Sequence, residues 1–170
     1  MPGSDKTVPK TALDYEEIRQ LVARYVRAAD FGAADAFASC FTPDGAFVLD
    51  SESPSKLKAG LHVGAAALRR LCTENFAGTR GHVRHWDSPP VIEGDGETAA
   101  MSSYLAVLRV GETPEAGVIL TGVYWDILAK VDGKWLFAER RFGWDPLPEH
   151  RDLEPTDVLV VRRDKSLRQR

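Results

Sequence analysis

The chain changes character near residue 82, and that change constrains its fold more than any other feature. Downstream, long β-leaning runs are separated by two glycine-bearing turn signals, Gly94-Asp95-Gly96 and Asp132-Gly133. They predict antiparallel strands over about 82–93, 97–110, 117–131 and 134–144. The first run contains Pro89 and Pro90, which remove two ladder donors, so it is bulged or lies at an edge. Upstream, the apolar spacing is helical. Helices followed by a long meander predict an α+β domain.

The first predicted helix begins at Asp14, with Glu17 three positions on as a capping box. Ile18, Leu21, Val22, Tyr25, Val26 and Ala29 form its apolar stripe, and Gly32 supplies its end after Asp30. A short helix over about 33–40 carries Phe37 and leads to Phe41. Pro43-Asp44-Gly45 reads as a turn, 46–50 as a strand, 51–55 as a surface loop and 56–63 as a weaker strand. Residues 64–76 read as a helix with Leu68, Leu71 and Cys72 inward. One domain over 13–145 is expected, between a disordered 1–12 and a charged tail over 146–170. The apolar run DVLVV in that tail either adds an edge strand or lacks fixed structure.

Composition narrows the function. With 170 residues, 44% hydrophobic and 28% charged, the chain is of ordinary globular make-up. A net charge of −3 offers no basic face for nucleic acid, and the basic C-terminal run reads as solvated tail. No run approaches a membrane span and the N-terminus lacks the apolar core of a signal peptide, so a cytoplasmic protein is expected. Cys40 and Cys72 are not a paired motif and read as buried free thiols. No HxxxH, HExxH or Cys/His cluster suggests a metal. GDGE joins two strands and opens no helix, so it is no phosphate loop. No GxSxG nucleophile occurs. Neither metal nor cofactor is expected.

The chemistry centres on His85. Strand alternation places Val83, His85 and Asp87 on one face, with Arg84 and Trp86 on the other. If the first helix packs on the former face, His85 meets Tyr25 and Asp30. Imidazole exchanges protons near neutrality, and a carboxylate beside it would set its tautomer. Such a pair in an apolar pocket suits general acid–base catalysis. Each residue also has an ordinary structural role: a hydrogen-bonded core histidine, a helix-end aspartate bonding the next turn, a core tyrosine.

Three segments carry a family resemblance: YVRAADFGAADAFASCFTPDGAFV, then VRHWDSPPVIEGDGETA with SSYLAVLRV, then TGVYWDILAKVDGKWLFAERR. In this order they resemble the SnoaL-like group of the nuclear transport factor 2-like superfamily, which includes scytalone dehydratase, ketosteroid isomerase and bile-acid dehydratase relatives. The resemblance implies a cone-shaped α+β barrel, its curved, mostly antiparallel sheet wrapped around N-terminal helices and a deep apolar pocket. It also implies that Tyr25 and Asp30, five residues apart, work with His85. Asp30 would orient His85 as the acid–base group, and Tyr25 would bond a substrate oxygen. Further substrate contacts are expected from Ser103, Tyr104, Trp86 and Tyr124, with Ser102 an alternative on the same strand. The chain departs from many relatives, which have a second histidine where Trp86 stands and asparagine-proline where Pro89-Pro90 stands.

The implied function is a cofactor-independent dehydratase, isomerase or cyclase acting on a small apolar polycyclic, steroid-like or polyketide-like molecule. Two alternatives stay open. One is a non-catalytic binding protein or oligomeric subunit; the other is an epoxide hydrolase or ketosteroid isomerase variant with Asp30 as base. The resemblance further implies a homo-oligomer, dimer or trimer, built on the outer sheet face near Trp125, Trp135 and Trp144.

Overall fold

The computed structural model describes residues 11–49 and 59–145. The expectations for 1–10, for the 51–55 loop and for the tail from 146 lie outside the described residues. Among the described residues, three helices, α1 (Ala12–Asp30), α2 (Ala34–Ala38) and α3 (Gly64–Thr79), combine with seven strands. These are β1 (Phe41–Leu49), β2 (Gly60–Val63), β3 (Val83–Asp87), β4 (Val91–Gly94), β5 (Thr98–Arg109), β6 (Gly117–Val131) and β7 (Lys134–Trp144). The strand order is β2-β1-β7-β6-β5-β3, with β4 also paired to β5. All pairings are antiparallel except β1 with β7. The result is a curved, unclosed sheet holding the helices in its hollow, an α+β cone.

Helix α1 starts earlier than its sequence suggests. Thr11 is the N-cap, and Asp14 is the third helical residue of the capping box: its backbone N–H donates to Thr11 Oγ1 at 3.2 Å, and Oδ2 accepts from Thr11 N at 2.8 Å. A threonine cap and an aspartate at N3 satisfy two otherwise orphaned amides. The same carboxylate accepts from Lys130 Nζ at 2.7 Å and Trp135 Nε1 at 2.9 Å. One end of α1 is therefore anchored on β6 and β7. Tyr25 and Asp30 follow about three and about four and a half turns later, Asp30 lying about 24 Å along the helix from Asp14.

Local sequence shapes the sheet where the site forms. Prolines 89 and 90 fall in the gap between β3 and β4, where their missing N–H groups cost no ladder bond. Ser88 bridges the gap: its N–H donates to Tyr104 O at 2.9 Å, and its Oγ accepts from Tyr104 N at 3.0 Å. Pro43-Asp44-Gly45 forms no separate turn but an irregularity inside β1, between Phe41 and Ala46. Gly45 is needed there, because a Cβ would stand 2.8 Å from Phe137 O. In β7 the register shifts opposite Ile127/Leu128, so Phe137 and Arg140 both point inward.

The core under α1 is aromatic. The Tyr25 ring packs on Phe37, Phe41 and Phe137, with centroids 4.9, 6.0 and 5.6 Å away. Cys40 and Cys72 are buried free thiols, and burial pushes Cys40 up to about 11. Trp135 and Trp144 also turn inward, which removes them from the expected outer oligomer face; only Trp125 alternates outward. Among the described residues no helix is long and apolar enough to cross a membrane.

Candidate active site

Strand β3 and the end of α1 meet at His85 and Asp30. The imidazole Nδ1 lies 2.6 Å from Asp30 Oδ1. The backbone N–H of His85 donates to the same carboxylate, 3.2 Å from Oδ1 and 3.3 Å from Oδ2. Asp30 is 5% exposed and His85 14% at the side chain, so water competes little for the contact. A carboxylate accepting at Nδ1 makes that nitrogen the protonated one and leaves Nε2 for exchange with a bound molecule.

His85 lines a cavity of about 80 Å³, room for several waters. Its deep wall is apolar, with Ala29, Phe47, Leu71, Leu105, Val107 and Phe142 among its residues. Val107 stands directly opposite His85 on β5. Tyr25 and Tyr124 add two phenols, ring centres 6.3 Å apart and edge to face. The Tyr25 hydroxyl hydrogen-bonds Tyr124, and burial raises both phenols above their ordinary range. Both stay protonated, as hydrogen-bond donors. Each phenol carries one proton, so when one donates to the other the second is left with a proton to offer a ligand.

Behind the phenols lies a charged cluster. Arg140 is fully buried; its guanidinium carbon sits 3.6 Å from the Tyr124 ring centre and 4.2 Å from that of Tyr25. It donates to Asp87 Oδ2 at 3.0 Å, and its Nε is 3.4 Å from Asp126 Oδ1. The longer contact is an ion pair without hydrogen-bond alignment. Burial pushes the Asp126 carboxyl up to about 7, with Arg140 opposing and Asp87 assisting. Burial also works against the Arg140 charge, but Asp126, Tyr124 and Asp87 outweigh it and keep the guanidinium protonated. Face-on contact of a cation with two phenols favours the cation and makes the hydroxyls stronger donors.

The structure thus brings His85, Asp30, Tyr25 and Tyr124 together. It does not bring Trp86 or Tyr104 to them. Both alternate onto the outer sheet face, 70% and 64% exposed, and the expected substrate contacts from these two residues are corrected accordingly. Ser103 does face inward and is buried, but it stands paired with Tyr124 near the charged cluster rather than on the cavity wall. Sequence reasoning missed Arg140, Asp126 and Asn75, the last a cavity-lining residue of α3. Asp126 alternates with Tyr124 on β6 and was legible as an inward carboxylate; the β7 register shift hid Arg140. No group of three or more His, Cys, Asp or Glu among the described residues is arranged to hold a metal.

The α+β cone thus holds a cavity whose apolar wall carries a few convergent polar side chains. The SnoaL-like domain family matches residues 10–141, and the chain belongs to that family. Similar solved structures include a protein of unknown function from Mycobacterium tuberculosis, 29% identical over 81% of this chain and 75% of that one, with a TM-score of 0.68. A cystatin-like-fold protein of unknown function from Nostoc punctiforme is 27% identical over 84% and 99% of the two chains, TM-score 0.71. A putative scytalone dehydratase from Novosphingobium aromaticivorans shares the fold at 20% identity over 79% and 85%, TM-score 0.64. No curated protein matches.

Proposed function

We propose that the protein is an acid–base lyase or isomerase, needing no cofactor, that acts on a compact, largely apolar molecule carrying a carbonyl. The observation that carries this reading is the 2.6 Å contact between buried Asp30 and His85 Nδ1 on the wall of an apolar cavity. His85 Nε2 removes a proton from the carbon next to the carbonyl. The electron pair moves onto the carbonyl oxygen, which accepts a hydrogen bond from Tyr124, with Tyr25 behind it. In a dehydration the imidazolium then returns the proton to a β-hydroxyl, the C–O bond breaks, and water leaves with formation of a conjugated double bond. In an isomerisation the proton goes back to a different carbon.

Asp30 as the base is disfavoured by geometry: its oxygens are occupied by His85 and it does not line the cavity. A purely structural role for the dyad is disfavoured by the open cavity beside it. The fold of the putative scytalone dehydratase is consistent with the lyase reading. The test is a panel of β-hydroxy ketones on one- and two-ring skeletons, followed by enone absorbance. Wild type turns over at least one of them, and folded His85→Ala retains under a tenth of that rate. A larger residue of activity overturns the assignment.

The protein is further proposed to be a homo-oligomer. Trp86, Tyr104 and Val91 expose apolar surface on the outer face of β3, β4 and β5, the kind of patch that a second copy covers.

A further inference from the structure

Few polar side chains face the cavity, and most are already committed within the protein. His85 Nδ1 is bound to Asp30, and the Tyr25 hydroxyl to Tyr124. The Cys72 thiol points at Ala28 O, 3.7 Å away. Thr79 donates to the backbone carbonyls of Asn75 and Phe76 at 3.0 and 3.3 Å. Asn75 differs. It lines the cavity, and its carboxamide has no hydrogen-bond partner among the described residues.

Its position sharpens the contrast. Leu68, Leu71, Cys72, Asn75 and Thr79 recur at three- and four-residue spacing, which is the inward stripe of α3. Leu68, Leu71 and Cys72 are buried, whereas Asn75 and Thr79 are half-buried, so the stripe runs from the core to the cavity rim. Half-buried, the carboxamide is reached by water when the cavity is empty, and a ligand oxygen that displaces that water can take over its hydrogen bonds. Tyr124 and His85 Nε2 lie on the opposing sheet.

We propose that Asn75 is a specificity-determining residue of the cavity: its carboxamide hydrogen-bonds a hydroxyl or carbonyl at the rim end of the ligand. The ligand class is then an apolar ring body with an oxygen at each end, one for Tyr124 and His85 and one for Asn75. This rests on the acid–base pocket reading above and adds the second polar end.

The test compares dissociation constants for 2-naphthol and 2,6-dihydroxynaphthalene in wild type, Asn75→Leu and His85→Ala. The second hydroxyl improves wild-type binding about fivefold, the effect of one neutral hydrogen bond. Asn75→Leu binds the two compounds equally, with 2-naphthol held at least as well as by wild type. Leucine is the better helix former, so α3 tolerates it. His85→Ala keeps the wild-type preference. An Asn75→Leu protein that still prefers the diol overturns the assignment and leaves the acid–base pocket standing, as does a wild type with no preference. A wild type that binds neither naphthol overturns both.

Discussion

Asp30 holds His85 at two points, by the imidazole Nδ1 at 2.6 Å and by the backbone N–H at 3.2 and 3.3 Å. The first contact sets which nitrogen is free; the second ties the strand backbone to the end of the helix. Substituting Asp30→Asn leaves an acceptor for one N–H but removes the charge that stabilises a forming imidazolium. The expected loss in kcat is at least about 10²-fold with little change in KM. The Asp30→Asn/His85→Ala double variant should be no slower than His85→Ala alone, since the aspartate acts through the histidine. Additive losses would contradict the pairing.

Asp126 makes stability fall with rising pH. Burial pushes its carboxyl up to about 7, whereas in the unfolded chain it ionises near 3.8. Between those values the folded protein retains a proton that the unfolded chain has released. Its contribution is therefore complete below about pH 4, is lost as pH rises towards 7, and stays lost above. Asp126→Asn never ionises, so its stability relative to wild type should improve from about pH 4 to about pH 7 and level off above. Denaturant unfolding at a series of pH values measures the difference; a flat or opposite trend refutes a carboxyl there whose burial outweighs its ion pair with Arg140.

Asp14 acts in the other direction. Hydrogen bonds from Lys130, Thr11 and Trp135 hold its carboxyl well below the ordinary carboxylate range. Its stabilisation is present above about pH 4 and is lost as pH falls through the still lower folded value. Asp14→Ala removes the N3 partner of the capping box and leaves Trp135 Nε1 without an acceptor. A cost of about 2 kcal/mol at pH 7 is expected, shrinking in acid. Thermal unfolding at pH 7 and pH 3 checks both parts.

Trp86 and Tyr104 should be silent in catalysis. Both stand on the outer face, 70% and 64% exposed, away from the cavity. The Trp86→Ser/Tyr104→Ser double variant is expected to keep wild-type ligand affinity and turnover per folded pocket. Light scattering should show a smaller species than wild type if this face joins two copies. Loss of ligand affinity without a change of mass would return these residues to the pocket.

Much of this was legible in the sequence because it is local. Apolar spacing gave α1 and α3, and the glycine turns located the hairpins within a residue or two. Period-two alternation placed Val83, His85 and Asp87 on one face, and the helical stripe placed Tyr25 inward; the pairing of Asp30 with His85 came from the family resemblance. The same alternation already sent Trp86 outward, against its expected substrate contact.

Tertiary structure decided what local pattern does not encode. Which residue opposes His85 depends on β-register across the double proline, and the answer is Val107 rather than any of Ser102, Ser103 or Tyr104. The β7 register shift turned Arg140 inward, where only burial and the approach of three strands create the Asp87–Arg140–Asp126 cluster. The sequence by itself determined that a titratable histidine and a carboxylate sit on facing elements of an α+β cone. Their 2.6 Å contact, the apolar wall beside them and the buried charge behind the tyrosines come from strand register and long-range packing. A one-residue slip of a strand would send that strand's inward side chains to the other face.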